Sequence, residues 1–148
     1  MLNEQAAPFA QENYREMTDE GHVFLRDNTA KLKGNEILFS GVSVETSCKE
    51  EVVLNALEDL KAFYRNSLNE TFEGTALKLC VSVKKKSGRS LEYAITVGKN
   101  GVCIKADTPR GAARALFRLQ AMMRLRRAPY LVKGSFDSAK DQIGRAHV

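Results

Sequence analysis

Asn100-Gly101 joins two runs in which every second residue is apolar, and no other pattern in the chain limits the fold as strongly. Before it, Tyr93, Ile95 and Val97 alternate with Glu92, Ala94 and Thr96; after it come Val102, Ile104 and Ala106. A period of two places the apolar members on one face of a strand. Asn-Gly supplies the positive backbone angles of a tight hairpin turn, so the runs predict an antiparallel pair with one buried face. Upstream, Leu77, Leu79, Val81 and Val83 alternate with Lys78, Cys80 and Ser82, which extends the expectation to an antiparallel meander of three strands. The basic stretch Lys84-Lys85-Lys86-Ser87-Gly88-Arg89 reads as an exposed turn within it.

A half-apolar sheet needs a cover, and two helices are legible. Thr108-Pro109 offers a hydroxyl N-cap with proline at the first helical position. Ala112, Ala115, Leu116, Leu119, Met122 and Met123 then form a buried stripe as far as about Arg126, and Pro129 ends the pattern. Earlier, Ser47-Cys48-Lys49-Glu50 matches a capping box. The helix after it is expected to run to about Asn66, with Val53, Ala56, Leu57, Leu60, Phe63 and Tyr64 inward. Glu50 and Glu51 at its start and Arg65 at its end suit the helix dipole. Ile37-Leu38-Phe39 reads as a short strand, and residues 128–132 as extended chain leaving the domain. The order of strand, helix, three strands and helix predicts an α+β fold, a mostly antiparallel sheet of about four strands with two helices on one face.

The 148 residues suffice for one modest core. Residues 1–32 are a polar, weakly patterned leader, and the α+β domain is expected over 33–135. No apolar run approaches the roughly 18 residues of a membrane span. Met1 to Ala10 carry neither a basic start nor an apolar stretch, so no secretory signal is visible and a cytoplasmic location is expected. The last residues, from Gln142 to Val148, resemble the translation, up to its stop codon, of an adapter used in short-read DNA sequencing. Residues 143–148 are therefore read as an artefact and set aside with His147, which leaves His22 as the only histidine.

Candidate chemistry is sparse. Cys48, Cys80 and Cys103 are an odd number with no CxxC pair, which argues against a disulfide framework and a zinc site. The strand cysteines read as small buried hydrophobes, and His22 is the only partner available to a thiol nucleophile. Glu50 with Glu51, and Glu58 with Asp59, are explained by capping or solvation on the first helix; Asp137 and Asp141 lie beyond the second. Asn69-Glu70-Thr71 fits a glycosylation sequon, but without a secretion signal the match reads as accidental. Lys84-Lys85-Lys86 reads as a solvated hairpin tip. Arg110, Arg114 and Arg118 recur every four residues, followed by Arg124, Arg126 and Arg127, and could contact phosphates. No aromatic residues are interleaved among them for base stacking. Catalytic, cofactor-binding and metal residues are therefore all expected to be absent.

Tyr93-Ala94-Ile95-Thr96-Val97, then Asn100 to Ala106, then Thr108 to Gln120, form one run that resembles a known family. It is similar to the small non-catalytic domain that precedes the catalytic barrel in glycoside hydrolases, notably family 20 β-N-acetylhexosaminidases and the α-glucuronidase group. Gly111, Ala115, Leu116 and Leu119 match its helix of the form Gly-x-x-x-Ala-Leu-x-x-Leu. The resemblance spans about 34–135 and implies a zincin-like α+β domain without the zinc motif His-Glu-x-x-His, which is absent here too. It also implies that residues 136–142 begin a missing catalytic domain. In that barrel an Asp-Glu pair would act with the substrate's own acetamido group as nucleophile. The expected function is an N-terminal, non-catalytic, inactive part of a β-N-acetylhexosaminidase-like enzyme whose partner is the barrel of the same chain. The alternative is a free-standing α+β module whose basic helix binds an acidic partner or nucleic acid.

Overall fold

Alternation decides which side of each strand is dry, but neighbour order is decided by the connections. The computed structural model describes residues 25–84 and 92–139. Within them the elements are β1 (Glu36–Leu38), β2 (Val42–Thr46), α1 (Glu51–Phe63), β3 (Leu77–Val83), β4 (Tyr93–Gly98), β5 (Gly101–Ala106), α2 (Pro109–Arg126), β6 (Tyr130–Val132) and β7 (Gly134–Asp137). A five-stranded sheet has the order β2-β3-β5-β4-β7, and β1 pairs with β6 in a separate two-stranded sheet. The fold is α+β, and three of the five strand pairings are antiparallel.

The two runs pair as expected, with Val97 opposite Val102 and Ile95 opposite Ile104. The loop sits one residue earlier than Asn100-Gly101: Gly98 pairs with Gly101, and Lys99 and Asn100 make the turn. Of Asn100-Gly101 only Gly101 has a positive φ. The meander does not form. β3 pairs with β5 in parallel, placing Leu79 against Val102 and Val81 against Ile104, while β4 lies on the far side of β5. Alternation gives each strand's dry face and says nothing about which strand is its neighbour. The second strand, β2, is missing from the sequence reading. It pairs in parallel with β3 through Val42–Leu77 and Val44–Leu79, and α1 forms the crossover between the two.

Both helices cover the dry face, where Leu79, Val81, Ile95, Val97, Val102 and Ile104 join one core with Val53, Leu60, Leu116 and Leu119. Helix α2 begins as read: the Thr108 hydroxyl accepts a hydrogen bond from the Gly111 amide at 3.0 Å. Gly111 is needed for packing, since a Cβ there would lie 2.5 Å from the Glu92 carbonyl oxygen. The capping box is a correction. Glu50, not Ser47, is the N-cap residue of α1, and no side chain caps it. Ser47 instead prolongs β2: its amide donates to Val81 O at 2.9 Å and its hydroxyl accepts from Val83 N at 3.2 Å. At the other end α1 widens into one π turn, Tyr64–Leu68, which buries both end residues and closes on Asn69 in the left-handed region.

The chain after Pro129 also departs from the expectation that it leaves. β6 returns along β1, and β7 adds an edge strand to β4, with Phe136 opposite Ile95. The buried Ser138 hydroxyl then accepts from the Glu92 amide at 2.9 Å. Residues 25–32, from the leader, form no helix or strand but are tied down: Leu25 N donates to Ser67 O and Asp27 N to Arg127 O. No helix among the described residues is long and apolar enough to cross a membrane.

Candidate functional site

The arginines of α2 are the first group to place. Its exposed side carries Arg110, Arg114 and Arg124, but most of the basic side chains are engaged with the protein itself. Arg114 Nε lies 3.3 Å from a carboxylate oxygen of Glu92. Arg118 donates to the Asp137 carbonyl at 2.9 Å and lies over the Phe136 ring, clamping β7 to the helix. Arg124 sits over Phe63, and Arg127 donates to Leu25 O. Arg126 makes two bonds to Glu36, at 2.7 and 2.9 Å, and stacks on Tyr130. A phosphate backbone would have to compete with these contacts, so the helix is built as an internal clamp.

Glu36 is the most constrained charge in the described chain. Its side chain is 2% exposed and accepts from Lys33 N as well as from Arg126. The Arg126 guanidinium holds its carboxyl below the usual glutamate range, against burial, which acts the other way. Fixing three donors on one buried carboxylate pins β1 and the segment before it to the end of α2.

The other candidates scatter. Glu50, Glu51 and Glu58 are exposed, and Asp59 accepts from Gln120 Nε2 at 2.8 Å, which bonds α1 to α2. Asn69 terminates the first helix, and Glu70 pairs with Arg26 and accepts from the Ser40 hydroxyl, so the sequon residues have structural work. Lys84 is exposed beyond β3. His22, Lys85, Lys86, Asp141 and residues 143–148 lie outside the described residues. Among the described residues no three histidine, cysteine or acidic side chains come together as metal ligands. Cys80 and Cys103 correct the reading of buried hydrophobes: both are half-exposed, on the face away from the helices.

One surface was only partly anticipated. Met122, Leu125, Tyr130, Val132 and Phe136 line an open groove of about 380 Å³ between the end of α2 and the strands after it. Leu125 is 87% exposed and Val132 44%; of the two methionines expected in the buried stripe, Met123 is fully buried and Met122 only half-buried. Of the groove's helix residues the sequence reading named only Met122, as part of the buried stripe; the contribution of Val132 and Phe136 depends on the return of β6 and β7.

No protein-family model matches the chain, and no curated protein matches it. Among solved structures it is similar to an inactive variant of the family 20 exo-β-N-acetylglucosaminidase of Vibrio harveyi, with 14% sequence identity and a TM-score of 0.40. That match covers 66% of this chain and 16% of the enzyme's.

Proposed function

We propose that the chain is the N-terminal, non-catalytic domain of a glycoside hydrolase of the β-N-acetylhexosaminidase type, and that it braces a following catalytic barrel without binding sugar itself. The observation that carries this reading is the unit made by β4, β5 and α2, where the family resemblance is densest. Its family-like residues have the packing role that the resemblance implies: Gly111 lets the helix meet Glu92, and Ala115, Leu116 and Leu119 are fully buried beneath it. The apolar groove lies beside the end of β7 and suits a protein partner tethered there.

Separated from its partner, the domain is expected to bind a hydrophobic dye or to self-associate. Leu125→Asp combined with Val132→Asp should remove most of the dye fluorescence while leaving the circular dichroism unchanged. A monodisperse wild-type monomer that binds no dye would count against the reading. Salt-sensitive affinity for DNA or RNA would point instead to the free-standing module.

A further inference from the structure

We infer that the sheet face opposite the helices carries a two-thiol site for a soft monovalent cation of the copper(I) kind. Cys80 on β3 and Cys103 on β5 are direct partners in parallel strands, and both are free and half-exposed. In-register side chains point to the same face and stand about 4.8 Å apart, the spacing of neighbouring strands. A disulfide wants its Cβ atoms about 3.8 Å apart, so the sheet holds this pair wide of an easy S–S bond. Two metal–thiolate bonds of roughly 2.3 Å each span about 4.6 Å, close to the spacing of neighbouring strands, so a cation between the two thiols is compatible with the sheet as it stands. Thiolates are soft ligands that favour copper(I) over hard cations. Structural zinc prefers four ligands, and two thiols do not supply them.

The surroundings fit a cation. Glu45 of β2 is in register with Cys80, and its Oε1 lies 3.8 Å from the Cys80 sulfur. On binding, each thiol releases one proton and two S–metal bonds form. The dithiolate complex carries one net negative charge, within the field of Lys78 and Lys105 on the same face. The site exists only because β3 and β5 are neighbours, and it is independent of the glycoside hydrolase reading.

The test uses the reduced, metal-free full chain and silver ion, a stand-in for copper(I) that undergoes no redox change. One equivalent is added without oxygen, free thiols are alkylated with iodoacetamide, and the labelled peptides are mapped by mass. Cys80 and Cys103 are expected to lose their labelling together, with Cys48 labelled as it is without silver. Cys80→Ser and Cys103→Ala should each abolish protection of the remaining partner, and Cys48→Ser should leave protection intact. Protection spread over all three thiols, protection of Cys48 first, or no protection would overturn the proposal. The wild-type labelling pattern decides the matter even if a cysteine variant fails to fold.

Discussion

Gly101→Ala is expected to lower the stability of the domain by at least about 3 kcal/mol, because it adds a strained backbone to an overpacked contact. Gly101 opens β5 at a φ of +134°, in the region that side chains avoid. A Cβ there would lie 2.0 Å from the carbonyl oxygen of Lys78 and 2.8 Å from its nitrogen. Those atoms are backbone on β3, whose Lys78 amide donates to Asn100 O at 3.1 Å, so they cannot swing aside. Relief would require parting β3 from β5 at the centre of the sheet. Gly98, at the other side of the same turn, has nothing within 4 Å of an added Cβ. Gly98→Ala should therefore change stability by less than about 1 kcal/mol. Urea unfolding of the two variants separates these cases; equal stabilities would mean that β3 and β5 do not meet closely there.

Arg126→Met is the second large effect. The substitution keeps most of the aliphatic stem but leaves the 2%-exposed Glu36 carboxylate without its two charge-assisted bonds. Removing the arginine leaves the Glu36 carboxylate, itself almost without exposure, as an uncompensated charge, so the variant is expected to melt clearly below wild type. The pH dependence has a definite sign. In the folded protein the Glu36 carboxyl lies below its ordinary value, chiefly through the hydrogen bonds from Arg126. Its contribution is therefore complete above the ordinary glutamate range and is lost as the pH falls through the lowered value. The stability gap between wild type and Arg126→Met should narrow on acidification through the carboxylate range. Glu36→Gln combined with Arg126→Met should be more stable at neutral pH than Arg126→Met alone. Thermal melts from neutral to acid pH provide the check, and a gap that widens towards acid would contradict the assigned pairing.

What could be read in the chain beforehand follows from how local each signal is. The pairing of the strands around Asn100-Gly101 and the cap at Thr108-Pro109 are fixed by neighbouring residues and formed as read, although the turn itself falls on Lys99-Asn100 and leaves Gly101 as the first residue of β5. Ser47-Cys48-Lys49-Glu50 has the letters of a capping box, but pairing with β3 claims Ser47 first. Val42–Thr46 is too short and too polar on its outer side to announce a strand, and its partner, β3, lies beyond an entire helix. The same non-local pairing brought Cys80 to Cys103, which sequence separation kept apart. The basic spacing of α2 was legible, but its purpose was not: the acceptors for Arg118 and Arg126 come from β7 and β1. The groove was barely legible: Met122 was expected in the buried stripe, Leu125 was not singled out, and Val132 and Phe136 arrive from strands read as leaving the domain.

The most direct measurement on the accessory-domain proposal is to read the gene past the codon for Asp141 in genomic DNA, using long reads with no adapter ligated nearby. The frame is expected to continue into about 250 codons of alternating strands and helices, the size of a catalytic barrel, and to carry a paired Asp-Glu. A genomic stop directly after the codon for Val148 would contradict the proposal, make the tail genuine, and leave a free-standing binding module as the better description.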